Sequence, residues 1–229
     1  LFIDVDPGKH RTGVTSPGAA VALAEAIAAA GLRLRGVQYY CGSEQHIATL
    51  AGRRAAIAEK TDYLRTVLAA LAAAGHAVPI VTGGGTGSFA LDAEQGVLTE
   101  LQVGSYVFLD REYRDCELAG PAFEQALFVD ASVISVNTPG MVTVDAGLKA
   151  FATDAGVPVV DAGAPGARYA FMGDEQGALT GGTLPGLAAR VTLVPPHCDP
   201  TVNLYDRYAI VRGEQVIDIW PVTARGRSS

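Results

Sequence analysis

The chain has 229 residues, of which 18% are charged, and its mean hydropathy is positive. That composition excludes a disordered chain and leaves room for one large domain or two small ones. A net charge of −7 without any basic block argues against nucleic acid and against an anionic membrane surface as partners.

Residues 1–5 read as a buried strand from the first position. No initiator Met precedes them, so the full protein is expected to begin upstream, with this chain as its C-terminal piece. Ser16 is placed as a helix N-cap, with Pro17 at the first helical position and Gly31 as the stop. Residues 34–40 form the next strand, and 43–74 a long helical region ended by Gly75. Residues 78–82 are a strand running into a glycine-rich segment, 83–88, and 98–103 a further strand before Gly104. Such alternation predicts a parallel sheet, open or closed as a barrel.

Beyond residue 115 the texture changes to short strands between Gly, Pro and Asn turns. Strands are expected at 125–136, 141–144, 157–160, 190–193, 208–211 and 215–221, with one short helix at 145–155 and a hairpin turn at 212–214. This half reads as a separate, mostly antiparallel β domain, with the boundary near residue 118.

Cys41, Cys116 and Cys198 are odd in number and widely spaced, which fits a reducing cytoplasm better than a disulfide framework. The apolar stretch 19–30 is broken by Glu25 and is too short to span a bilayer. No charged segment precedes it, so it does not read as a signal peptide.

Several runs carry candidate chemistry. In the segment 194–200, VPPHCDP, His197 and Asp199 are two residues apart on a stretch that prolines keep extended. Side chains at i and i+2 then leave one face, and an imidazole with a carboxylate suits Mn²⁺, Zn²⁺ or Co²⁺. The alternative is an ordinary loop pair. Gly83 to Ser88 offers backbone N–H groups to a phosphate, or is a plain glycine turn. Arg11, past the end of the first strand, suits an oxyanion or is a surface arginine. Tyr39 and Tyr40 offer a ring to stack on a planar cofactor, or core packing. Glu100 and Gln102 share a strand face by their period of two. His46 and His76 have no partner at ligand spacing, and Cys41 reads as a buried small residue.

The runs DPGKHRTGV, GVQYYCG, GGGTGS, ELQVGSYVF, VDAGLKA, PPHCDPTVNLYD and WPVTARGR span nearly the whole chain. Together they resemble the fold-type III pyridoxal-phosphate (PLP) enzymes of the alanine-racemase-like group, in the branch of D-threonine aldolase and D-serine dehydratase. The resemblance implies an α/β plus β architecture: the back half of a (β/α)₈ PLP-binding barrel over residues 1–118, then a mostly antiparallel β domain over 119–229. It implies that Arg11 meets the cofactor's phenolic oxygen and that Tyr39, or Tyr40 beside it, lies against the ring. Gly84, Gly85 and Thr86 would hold the phosphate, with Ser105 and Tyr106 nearby. Gln102 would face the pyridine nitrogen. His197 and Asp199 would be the metal ligands and the catalytic pair, on Mn²⁺ or Zn²⁺. Lys9, Lys60 and Lys149 match no Schiff-base lysine of the group, so that lysine is expected upstream and the chain by itself is expected to be inactive. Asp145, Lys149, Asp206 and Arg225 lie in matched runs without an assigned role.

The implied reaction is retro-aldol cleavage of a D-3-hydroxy amino acid to glycine and an aldehyde. The D-serine dehydratase-like lyase, releasing ammonia, is the alternative: its members place a Cys where this chain has Asp199, and a kink at Pro196 or Pro200 would bring in the sulfur of the neighbouring Cys198. An inactive fragment or a PLP-binding module is the third reading. A small-molecule substrate and a homodimer of the full-length protein complete the expectation.

Overall fold

The strand–helix alternation of the first half forms as β1 (Phe2–Asp4), α1 (Pro17–Ala29), β2 (Gly36–Tyr39), α2 (Leu50–Ala73), β3 (Ile80–Gly83), α3 (Phe89–Gln95) and β4 (Glu100–Leu101). The structure is a computed structural model that describes residues 1–227. The chain divides into two units: residues 1–106 with 115–123, and residues 107–114 with those from 124 onward.

In the first unit all four strands are parallel and stand in sequence order. A doubly wound sheet would reverse that order at a switch point, whereas a barrel winds in one direction. Pairing in register gives the sheet two unlike faces. Ile3, Val37 and Val81 are mutual partners on one face. They pack, with Val5 and Tyr39, against Ala20, Ala24 and Ile27 of α1 and Ile57, Leu64, Val67 and Leu71 of α2. Asp4, Gln38, Thr82 and Glu100 form the next row across all four strands and are polar throughout.

The helix starts follow local chemistry. Ser16 Oγ accepts from Ala19 N at 3.1 Å, with Pro17 next, as the sequence implies. The long helix starts later than expected, at Leu50. Residues 42–44 are a 3₁₀ turn, and Thr49 Oγ1 caps α2 by accepting from Gly52 N. The expected strand at 98–103 shrinks to two residues, because the Thr99 hydroxyl takes Val81 N at 2.9 Å.

Arg53 is fully buried in α2. Its guanidinium donates to the carbonyl oxygens of Glu117 and Gln45, which ties the segment 115–123 to the helix and leaves the charge without a carboxylate partner among its hydrogen bonds. Among the described residues, no helix is long and apolar enough to cross a membrane.

The second unit begins with a short α4 (Arg111–Arg114), followed by β5 (Val129–Thr138), β6 (Met141–Val144), β7 (Val159–Ala162), β8 (Arg168–Phe171), β9 (Gly177–Thr180), β10 (Arg190–Val194), α5 (Cys198–Val202), β11 (Arg207–Arg212) and β12 (Gln215–Pro221). Six strands form an antiparallel sheet in the order β7-β10-β5-β6-β9-β8, and β11 and β12 form a separate two-stranded sheet. The outer strands β7 and β8 approach one another, so the sheet is nearly closed around a core of Phe151, Tyr169, Leu179, Val191 and Leu193.

Three expectations change here. The helix expected at 145–155 does not form. Asp145 Oδ1 accepts from Ser132 N, while the N–H groups of Leu148 and Lys149 go to the carbonyls of Gly173 and Asp174. Gly147 lies so close to that loop that a Cβ would stand 2.4 Å from the Gly173 carbonyl oxygen, so the segment is held by a tertiary contact that a helix would break. β8 and β9 were not anticipated. The extended run 194–200 turns into α5 at Cys198, because the buried Asp110 takes the Cys198 N–H at 2.7 Å.

Replacing Arg53 by Met should destabilise the protein by about 1–3 kcal/mol, since it leaves buried carbonyls unpaired. Urea denaturation measures the loss, and faster proteolytic nicking within 115–123 would locate it.

Candidate active site

The polar face of the parallel sheet carries the first group of candidate residues at the strands' C-terminal ends, where α/β folds build sites. A small pocket there is lined by Asp4, Asp6, Lys9, Arg11, Gln38 and Tyr40. A wider cleft, lined by Arg33, Arg35 and His76 among others, lies where the strands begin and holds none of the predicted residues.

The loop bearing Arg11 is organised by Asp6. Gly8, Lys9 and His10 N–H donate to Asp6 Oδ1 at 2.9, 2.8 and 3.0 Å, and Thr12 Oγ1 donates to Asp4 Oδ2 at 2.6 Å. Burial raises the Asp6 pKa, but the backbone donors outweigh it and leave the carboxyl below its ordinary value. Arg11 is exposed at this loop, its guanidinium 5.9 Å from the centre of the Tyr40 ring.

Strand alternation separates the two tyrosines. Tyr39 is buried on the helix side, where its hydroxyl donates to the Lys60 carbonyl oxygen at 2.9 Å, and burial pushes its pKa up. Tyr40 lines the pocket and approaches Gly85. Of the two, Tyr40 lines this pocket and Tyr39 does not.

The glycine segment is held from beneath by a polar network that sequence reading missed. Gln45, fully buried, donates from Nε2 to Cys41 O at 3.1 Å and to Ser88 Oγ at 2.8 Å, while its Oε1 accepts from Gly87 N at 3.0 Å. Ser88 Oγ also accepts from Gly85 N at 3.2 Å and donates to Asp92 Oδ2 at 2.6 Å. Contact leaves no room for side chains. A Cβ at Gly87 would stand 2.0 Å from the Gln45 carbonyl oxygen, and one at Gly84, whose φ is +68°, 2.5 Å from Asp92 Oδ2. Within this cradle Thr86 Oγ1 is buried and has no hydrogen-bond partner. An unpaired buried hydroxyl costs stability unless a ligand satisfies it, so its presence fits an oxygen-rich ligand such as a phosphate. Gln38 Oε1, on the pocket row, is likewise buried and unpaired. Burial raises the Asp92 pKa, and the Ser88 hydrogen bond only partly offsets it.

Gln102 and Glu100 do share a face. Gln102 Nε2 donates to Thr82 Oγ1 at 3.1 Å, and Thr82 Oγ1 donates to Glu100 Oε1 at 2.7 Å. Ser105 is buried in the turn after β4, and the exposed Tyr106 ring packs on Phe123 at 5.3 Å. Lys60 pairs with Glu44 at 3.9 Å, and Lys149 pairs with Glu175 and Asp174 in the other unit.

In the second unit, His197 Nε2 lies 3.7 Å from Asp199 Oδ2, and His197 Nδ1 lies 2.6 Å from Asp154 Oδ2. The carboxylate of Asp199 and then the hydrogen-bonded one of Asp154 hold the imidazole pKa up, to about 9, against partial burial that lowers it. Cys198 between them is fully buried. Asp110, also fully buried, anchors this corner: its Oδ2 takes Cys198 N and its Oδ1 takes Tyr113 N at 3.2 Å, capping α4 and α5 with one carboxylate. Asp110 and Asp154 are distant from 197 in sequence and carry no local signal of this role. Two donors 3.7 Å apart can be bridged by one ion about 2.0–2.2 Å from each.

The comparisons with known proteins agree with this architecture. A family model described as "Alanine racemase, N-terminal domain" matches residues 1–112, and one described as "Putative serine dehydratase domain" matches 126–211. The chain is 41% identical over 233 residues to a D-threonine aldolase of Arthrobacter sp, covering 100% of this chain and 61% of that protein. It is 39% identical over 236 residues to a 3-hydroxy-D-aspartate aldolase of Paracoccus denitrificans (strain Pd 1222), covering 99% and 60%. Among solved structures, D-threonine aldolase from Filomicrobium marinum matches with a TM-score of 0.94 at 42% identity, over 100% of this chain and 64% of that one. D-threo-3-hydroxyaspartate dehydratase from Delftia sp. HT23 shares the fold, with a TM-score of 0.83 at 24% identity over 96% and 64%. The chain thus spans about three fifths of the length of the curated relatives it matches.

Two predictions follow the loop's packing. Gly87→Ala should cost about 1–3 kcal/mol, because the obstacle is backbone. Gly104→Ala, with open space around its Cβ position, should change stability by less than about 0.5 kcal/mol. Chemical denaturation compares the two. The raised Asp92 pKa means its contribution is fully present below the unfolded-state value and is lost as pH rises through the folded one. Relative to Asp92→Asn, the wild-type protein should therefore be at its best in acid and lose ground as pH climbs, read from denaturation midpoints across that range.

Proposed function

We propose, from the premise that this chain belongs to the alanine-racemase-like group in the branch of D-threonine aldolase and D-serine dehydratase, that its parent protein is a PLP- and metal-dependent lyase. The reaction is retro-aldol cleavage of a D-3-hydroxy amino acid to glycine and an aldehyde. The observation that carries the choice of reaction is the donor pair His197 and Asp199 with Cys198 buried between them. A carboxylate rather than a thiolate then completes the pair. Identity of 41% to an aldolase over the whole chain supports the same side.

When bound, PLP supplies an electron sink for the pair released as the Cα–Cβ bond breaks. The chain's part is to hold and orient it. Gly84, Gly85 and Thr86 take the phosphate, and the buried Thr86 hydroxyl gains its missing partner there. Arg11 offers a fixed cation to the phenolic oxygen and Tyr40 a ring face to the pyridine, and the family resemblance alone assigns Ser105 and Tyr106 to the phosphate end. Gln102 is uncharged and already donates to Thr82, so it does not hold a pyridinium proton as an acid would.

A divalent ion, Mn²⁺ or Zn²⁺, supplies a Lewis acid that acidifies the substrate hydroxyl. His197 Nε2 and Asp199 Oδ2 are its protein ligands. Among the described residues, no cluster of three or more His, Cys, Asp or Glu is placed to hold a metal, so the remaining positions fall to water and substrate. In this reading the parent is a cytoplasmic homodimer acting on a small molecule, with neither nucleic acid nor membrane as partner.

The test is a product assay on the full-length protein with PLP, Mn²⁺ and D-threonine. Glycine and acetaldehyde are the expected products. Ammonia with a 2-keto acid would move the protein to the dehydratase reading. His197→Ala and Asp199→Ala should each lower turnover by at least about 10²-fold, since even losing a ligand's supporting partner costs 10–100-fold.

A further inference from the structure

His197 has two carboxylate neighbours, and they meet different nitrogens. Asp154 Oδ2 is 2.6 Å from Nδ1, whereas Asp199 Oδ2 is 3.7 Å from Nε2. A carboxylate only accepts, so the short contact puts a hydrogen on Nδ1 whatever the charge of the ring. The neutral ring then carries its lone pair on Nε2, on the side of Asp199.

The segment holding Asp154 is not a free loop. Phe151 is buried in the core of its unit. Ala152 N donates to Thr201 Oγ1 of α5 at 3.1 Å, and Tyr205 Oη donates to Ala150 O at 3.0 Å. At the far end, Arg111 Nη1 donates to Val157 O at 2.8 Å, and Arg111 N donates to Pro195 O at 3.0 Å. Residues 150–157 are therefore tied at both ends to the segment that carries His197. The Cys198 N–H is fixed by Asp110 in the same corner.

We infer that Asp154 is a positioning residue: it locks the imidazole of His197 in the Nδ1–H tautomer and in the orientation that turns Nε2 toward Asp199 and a shared divalent cation. The inference rests on the reading of His197 and Asp199 as ligands. Carboxylate support of this kind orients a ligating imidazole and raises its basicity.

The experiment uses full-length protein and two readouts besides turnover. Nitrogen-15 NMR of the metal-free protein, recorded in base where the ring is neutral, reports the His197 tautomer, assigned by loss of the signal in His197→Ala. Titration calorimetry reports the affinity for Mn²⁺. Asp154→Ala should mix or reverse the tautomers and weaken Mn²⁺ by 10–100-fold. Asp154→Asn keeps an acceptor and should restore most of both. PLP absorbance should be unchanged in each variant, which guards against general misfolding. If the wild-type protein binds Mn²⁺ and loses it in His197→Ala, yet Asp154→Ala matches wild type in tautomer and affinity, the role of Asp154 is overturned and the metal reading stands. If the wild-type protein shows no Mn²⁺ affinity that depends on His197, the ligand reading itself fails and takes this inference with it.

Discussion

In-register parallel pairing governs the first unit. Because Asp4, Gln38, Thr82 and Glu100 are opposite one another across four strands, one polar row runs over the sheet at a single height. The neighbouring row, Ile3, Val37 and Val81, faces the helices and contributes to the core. A slip of one residue in a strand would exchange its two faces and turn a polar side chain of this row toward the apolar core. Register is thus determined by burial on one side, and the polar face on the other side is its consequence. The loops that follow these strands, with Arg11, Tyr40 and the glycine cradle, inherit their positions from it.

The cradle depends on a second constraint, which is lack of space. Gln45 uses both ends of its amide on residues that lie far apart in the chain, and Ser88 is at once acceptor and donor. Such a network is costly if any member is unpaired, and here the members named are satisfied. The Thr86 hydroxyl is the exception, buried in the same segment without a hydrogen-bond partner. The buried Arg53 connects the same region to the segment 115–123 through Gln45 and Glu117.

In the second unit a single buried carboxylate, Asp110, does comparable work. It caps α4 and α5 together and so decides where the extended run after β10 stops. His197 keeps an extended backbone while Cys198 starts a helix. His197 and Asp199 stay side by side through the change, Asp199 Oδ2 in the first turn lying 3.7 Å from His197 Nε2.

Much was legible in the chain itself. The Ser16–Pro17 cap and the Gly31 stop placed α1, and the strand–helix alternation announced a parallel sheet. Glycine clustering marked the tightly packed turn, and the spacing of His197 and Asp199 anticipated that the two side chains lie near one another, because these depend on residues adjacent in sequence. What remained hidden depends on residues brought together from afar. Tyr39 and Tyr40 are chemically alike, and only the facing of β2 decides which reaches the pocket. The stretch 145–155 has the composition of a helix, and only contact with residues 173–176 forbids one. The long-range bonds of Gln45, Asp110 and Asp154 have no local signature, since a hydrogen bond across tens of residues leaves no spacing in the sequence. The sequence by itself determined which groups are available and which elements form around them. The tertiary structure alone decided their partners, because burial and close packing act on neighbours in space.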